Sequence, residues 1–117
     1  MKKINPEDKE WIKLKGYSKK ILFTEEDLKS KGIALDIVKS KSGEIVQPHY
    51  HKKRKEIFYV LKGNAILWVG NDKSRRKPGD IILCEPGEMH GVINDTDEEF
   101  IWLNFKINAM KDDTYWK

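Results

Sequence analysis

Cysteine, glutamine and arginine are scarce in this 117-residue chain, which carries one cysteine, Cys84, one glutamine, Gln47, and three arginines, Arg54, Arg75 and Arg76. A single cysteine excludes an internal disulfide framework and fits a reducing compartment. Because Cys84 ends the apolar run Ile81-Ile82-Leu83, it reads as a buried structural thiol. No apolar stretch approaches the length of a membrane span and the amino terminus has no signal-type apolar core, so no membrane association and a cytoplasmic location are expected. Three arginines are too few for dedicated recognition of a phosphate backbone, and no aromatic residues alternate with the basic ones. Nucleic acid is therefore a disfavoured partner. Charge is abundant but nearly balanced, 23 basic against 19 acidic residues for a net of +4. The lysine- and glutamate-rich, glutamine-poor balance is of the kind associated with work at high temperature. Internal repeats and low-complexity segments are absent, and the length suits one domain with its own core.

Histidine is also sparse, yet its placement is informative. His49, His51 and His90 are the whole complement. The first two stand in Gly43-Glu44-Ile45-Val46-Gln47-Pro48-His49-Tyr50-His51, and side chains two apart on a strand share a face. Four basic residues, Lys52 to Lys55, lead to Glu56 and the apolar run Ile57 to Leu61, which ends at a Lys62-Gly63-Asn64 turn signal. A short connection of this kind brings Glu56 back beside the histidine pair. The third histidine lies in Gly79-Asp80-Ile81-Ile82-Leu83-Cys84-Glu85-Pro86-Gly87-Glu88-Met89-His90-Gly91-Val92-Ile93-Asn94, a strand, a Pro-Gly turn and a strand that His90 opens.

The first segment resembles the first cupin motif, G-x5-H-x-H-x4-E-x6-G, from Gly43 through His49, His51 and Glu56 to Gly63. The second resembles the companion motif G-x5-P-x-G-x2-H-x3-N through Gly79, Gly87, His90 and Asn94, with Glu85 at the proline position and the proline moved to Pro86. Together the two motifs span residues 43 to 94. The resemblance implies an all-β fold, an antiparallel jelly-roll barrel closed around a cavity. It implies that His49, His51, Glu56 and His90 are ligands of one divalent transition metal. Mn, Fe, Ni, Co, Cu and Zn all suit three imidazoles and a carboxylate, and an octahedral shell leaves two positions open. Cupins of this size are often homodimers, so a homodimer is the expected assembly.

The remaining elements fit one domain over residues 1–117, divided into an amino-terminal extension (1–20), the barrel (33–108) and a tail (109–117). Asn5-Pro6-Glu7-Asp8 carries a cap, a proline at the first helical position and acids in the first turn. A short amino-terminal helix is expected, stopped by Gly16. Ile21 to Phe23 reads as an edge strand, Thr24 to Asp27 as the cap of one helical turn, and Ile33 to Lys41 as a strand. Ile57 to Leu61 and Ile66 to Val69 form a hairpin. The segment from Glu99 to Ile107 is a long strand with apolar bulk on both faces, Phe100, Trp102, Asn104 and Lys106 on one and Ile101, Leu103, Phe105 and Ile107 on the other. Periodicity does not say which face lines the cavity. Trp11, Tyr115 and Trp116 fall outside the barrel in this reading and are expected to pack on its wall or at a subunit interface.

Function follows less directly, because one fold hosts many activities. A metal-dependent enzyme acting on a small polar or anionic molecule is expected, with oxidative, dioxygenase-like chemistry favoured for so short a chain. A non-catalytic module that binds a sugar or sugar phosphate, a cupin-type isomerase, and a metal that serves only as a structural clip are the alternatives. No catalytic acid or base is evident. Residues expected to face the ligand are Gln47, one strand step before His49, together with Tyr59, Trp68, Trp102 and Asn104, whereas Tyr50 points away. The basic run Lys52-Lys53-Arg54-Lys55 has two readings, a solvated loop or an electrostatic lure for anions.

Overall fold

A computed structural model describes all 117 residues. Ten strands, β1 (Ile12–Leu14), β2 (Tyr17–Phe23), β3 (Ala34–Ser40), β4 (Ile45–Tyr50), β5 (Lys55–Lys62), β6 (Ile66–Val69), β7 (Ile81–Cys84), β8 (His90–Ile93), β9 (Phe100–Ile107) and β10 (Tyr115–Trp116), form two antiparallel sheets. One sheet runs β1-β2-β3-β9-β5-β7 and the other β10-β4-β8-β6. The pattern is the expected all-β double sheet, folded over a shared interior. No helix is long and apolar enough to cross a membrane.

The core lies between the sheets and follows strand alternation. Val38 from β3, Phe58 and Val60 from β5 and Phe100 and Trp102 from β9 meet Val46, Leu67 and Val92 from the other sheet. Their burial is the main driving force for closing one sheet on the other. Strand β9 presents Phe100, Trp102, Asn104 and Lys106 inward, which settles the choice that periodicity left open. The gradient along that face, apolar at Phe100 and polar at Lys106, places the functional cavity at the Lys106 end. The turn after β5 depends on Gly63, whose φ is 93° and whose added Cβ would stand 2.6 Å from the Glu99 carbonyl oxygen. Only glycine accommodates both constraints.

The amino-terminal helix does not form. Asn5 caps a single 3-10 turn over Pro6–Asp8, its side chain accepting from the Glu7 N–H, and the chain then becomes extended. The residues expected to continue a helix instead make β1, paired with β2 across Gly16 at φ 85°. An isolated helix of two turns is marginal in water, whereas pairing with an open sheet edge satisfies the same backbone groups at once. Gly16 is thus a hairpin turn. Pairing with β1 also lengthens β2 to Tyr17–Phe23 and removes it from the edge. The second helix signal behaves as expected: Thr24 and Asp27 form a reciprocal capping box for α1, Glu25–Leu28. Trp11 packs on the outer wall beneath the ammonium groups of Lys39 and Lys20, 4.2 Å and 4.7 Å from its ring centre.

Candidate metal centre

Strand β4 delivers His49 and, just beyond its end, His51; β8 opens with His90, and β5 carries Glu56 near its start. Pairing of β4 with β8 sets His49 opposite His90. The donor atoms of the three imidazoles all lie within 4.8 Å of one another. One carboxylate oxygen of Glu56, Oε1, is 3.1 Å from His51 Nε2 and 3.4 Å from His90 Nε2. Two donors each about 2.1 Å from one ion at right angles are about 3 Å apart, so these separations match neighbouring ligands of a single metal.

The orientation of the rings makes a stronger case than their proximity. His49 Nδ1 lies 2.8 Å from the Gln47 carbonyl, His51 Nδ1 2.9 Å from the Asp113 carbonyl, and His90 Nδ1 3.0 Å from the Glu88 carbonyl. A carbonyl oxygen only accepts, so each Nδ1 donates and each Nε2 is the atom left to bind an ion, through its lone pair when the ring is neutral. The residues therefore fit a divalent transition metal.

The charge states without an ion are set by burial and by neighbours. Burial raises the Glu56 carboxyl, but hydrogen bonds from His51 and His90 outweigh it and hold the pKa well below the ordinary value. Burial depresses His49, aided by the nearby His90, to about 4. Burial also acts to lower His90, yet its contacts with Cys84 and Glu56 carry it up to about 10. His90 would have to release its proton to bind an ion, so metal binding at this cluster would be coupled to pH.

The centre opens into a cavity of about 120 Å³ between the sheets. Trp102 and Asn104 line it, as do Tyr17, Lys19, Asp36, Arg54 and Lys106. The side chains of Gln47, Tyr59 and Trp68 do not. A bulge in β4 between Val46 and His49 breaks the two-residue period, so Val46 shares the cavity face with His49 and the Gln47 side chain is exposed. Gln47 contributes only its carbonyl. Tyr59 lies exposed on the outer face of its sheet, and Trp68 is buried against Gly91 beside the cavity. Tyr50 points away and stacks on Tyr115 with ring centres 5.2 Å apart.

Three features of the site escaped the strand pattern because they come from loops and termini. Arg54, from the basic run, turns inward beside the metal cluster, while Lys52 and Lys53 stay exposed. Asp113 accepts backbone N–H bonds from Lys52, Lys53 and Arg54 at 2.9, 2.9 and 3.1 Å. One tail residue therefore holds both the loop between His51 and Glu56 and, through its carbonyl, the His51 ring. Trp116 lies over His49 with ring centres 4.6 Å apart and lines the cavity, and β10 pairs with β4. The tail is a wall of the site.

Comparison with known proteins agrees with this architecture. The chain is 29% identical over 82 residues to the oxalate-binding protein of Thermotoga maritima, spanning 68% of each chain. It is 29% identical over 62 residues to gentisate 1,2 dioxygenase 1 of Aquipseudomonas alcaligenes, spanning 53% of this chain and only 18% of that enzyme. The crystal structure of a predicted oxalate decarboxylase from Thermotoga maritima superposes with a TM-score of 0.84 at 19% identity, covering 91% of this chain and 98% of that one. Residues 36–106, from the cavity aspartate of β3 to the cavity lysine of β9, match the family described as Cupin domain, and the chain belongs to that family.

Proposed function

We propose that this protein is a metal-dependent cupin enzyme in which His49, His51, Glu56 and His90 hold one divalent transition metal and a small anionic molecule is bound beside it. The observation that carries the reading is the convergence of three imidazoles in a cavity between the sheets, each ring fixed by a carbonyl at its Nδ1. Such an ion, when bound, polarises a coordinated oxygen and, if redox-active, supports the oxidative chemistry favoured for this short chain. The protein's own residues position the ligand and exclude water. Lys19, Arg54 and Lys106 make the polar wall positive and favour an anion. Trp102, Val38 and Leu67 keep the opposite side dry. A cavity of about 120 Å³ is well below the 300–1,000 Å³ typical of drug-sized ligands, so the molecule is smaller than a sugar phosphate.

A second reading, binding without turnover, is favoured by one observation. The cavity's carboxylate and phenol are poorly placed as a general base: Asp36 is paired with Lys106 at 2.9 Å, and burial together with Glu56 raises the Tyr17 phenol further above its ordinary value. The Thermotoga relative named for oxalate binding is consistent with this alternative. Oxygen uptake and product formation by protein loaded with manganese or iron, measured across small carboxylates, separate the two. Turnover lost in His49→Ala and His90→Ala supports the enzyme, whereas saturable binding with no product supports the module.

The proposed assembly is a homodimer. The outer face of the large sheet leaves Tyr59 and Leu61 on β5 and Ile81 and Leu83 on β7 exposed, the last two at 65% and 52%. In the pairing of β5 with β7, Tyr59 stands opposite Ile81, so the exposed groups form one patch. A contiguous apolar patch at a sheet edge calls for cover, and a second copy of the chain supplies it.

A further inference from the structure

Cations gather in the cavity without anions to match them. Lys19 on β2, Arg54 before β5 and Lys106 on β9 all line the metal cavity, and the same three residues with Asp36 border an adjoining pocket of about 250 Å³ near Thr24 and Ala109. Only Lys106 has a close partner, the Asp36 carboxylate at 2.9 Å. Arg54 reaches no nearer than 3.9 Å to Glu56 Oε2, and that carboxylate is already engaged by His51 and His90. The Arg54 Nε is buried and makes no hydrogen bond, and on β9, the strand beside β5, the buried Asn104 Oδ1 is also without a partner. The Lys19 side chain forms neither an ion pair nor a hydrogen bond. Three positive charges less the one on Asp36 leave two unmatched in this layer.

Unmatched buried charge is costly, and a buried donor with no acceptor costs about 1–3 kcal/mol. Proteins keep such groups where a ligand completes them. Burial, reinforced by Lys106 and Arg54, lowers the Lys19 ammonium, which shows how closely the cations crowd. A guanidinium offers paired N–H donors that match a carboxylate edge. The layer adjoins the metal cluster through Arg54 and Glu56, which line the same cavity as the histidines and lie 3.9 Å apart.

We propose that Lys19, Arg54 and Lys106 form a second anion subsite and that the ligand is a short dicarboxylate, one carboxylate facing the metal and the other facing Arg54. The inference rests on the metal reading given above and adds the ligand's chemical class and the residues that select it. Asn104 Oδ1 faces the same space and accepts a hydrogen bond from a hydroxyl or protonated oxygen on the molecule.

The test is calorimetric titration of manganese-loaded protein with malonate and with acetate, its single-carboxylate counterpart, after metal content has been measured in the same samples. Wild type is expected to bind malonate at least about tenfold more tightly than acetate, a difference of about 1.4 kcal/mol. In Arg54→Gln the malonate-to-acetate ratio is expected to fall about tenfold, toward one. Lys19→Met, which lies away from Glu56, is expected to lower the ratio in the same direction while metal content is retained. Equal affinity of metal-loaded wild type for the two anions overturns the subsite, as does a ratio unmoved in both variants. A wild-type protein that takes up no ion overturns instead the metal reading beneath it, and the metal measurement tells the two failures apart.

Discussion

Asp113 shows how much of this site depends on a residue with no metal-facing atom. Its carboxylate gathers three backbone N–H groups of the 52–54 loop, and its carbonyl fixes the His51 ring. Partners that orient a ligand typically contribute 10–100-fold to metal affinity. Asp113→Ala is therefore expected to weaken metal binding by about 10–100-fold in chelator competition, with far-UV circular dichroism unchanged. Wild-type affinity in that variant would show that the loop holds itself. The His49 and His51 pair and the nearness of Glu56 were legible from alternation and one short connection, and the convergence of His90 with them from the resemblance to the cupin motifs. Asp113 and Arg54 were not, since no periodicity tells which way a loop residue faces or that a tail 57 residues after Glu56 returns to it. The error over Gln47 has a local cause: alternation from His49 points it inward, and the β4 bulge turns it out.

Among the elements, β5, β6 and the long β9 were readable as strands because their apolar runs are bounded by strong turn signals. The expected hairpin of β5 and β6 does not form: β5 pairs with β7 and β9 and β6 with β8, so the chain crosses from one sheet to the other at the Gly63 turn. Gly63 makes that turn testable. Alanine there combines a positive φ with a contact 2.6 Å from the Glu99 oxygen, and Gly63→Ala is expected to cost about 1–3 kcal/mol in urea unfolding. An unchanged midpoint would contradict the close approach. The amino-terminal segment was misread as a helix because cap and proline are local signals, while the sheet edge that captures Ile12–Leu14 is not visible locally. The tail strand β10 is the opposite case, a polar terminus whose Trp116 covers His49 while Tyr115 stacks on Tyr50 outside the cavity. Trp116→Ala opens the wall over His49 and is expected to speed removal of the metal by a chelator, read as the rate of metal loss. A rate equal to wild type would leave Trp116 as mere packing.

At the scale of the whole molecule, the exposed apolar patch and the carboxylates govern different properties. Ile81→Lys with Leu83→Lys is expected to convert a dimer to a monomer in sedimentation, and a monomeric wild type would refute the interface. Acid stability follows from Asp72, Asp80, Asp95 and Asp113, all held below their ordinary pKa by hydrogen bonds or cationic neighbours, and from Asp27, held at about 2 chiefly by Lys2. Each is depressed in the folded state, so its contribution is complete above the unfolded value near 4 and disappears as pH falls through the folded value. The melting temperature is expected to fall first as pH drops below about 6.5, where the unfolded chain protonates His49 and the folded one does not, and to fall further between about 4 and 2 as these carboxylates are protonated.

The functional expectations turn on whether the histidine cluster holds an ion. Elemental analysis of the protein purified without an affinity tag and reconstituted with manganese, iron or zinc tests that most directly. The fold and the carbonyl-fixed rings predict about one ion per chain in wild type and a large loss in His49→Ala and His90→Ala. A stoichiometry near zero in reconstituted wild type would contradict the central claim.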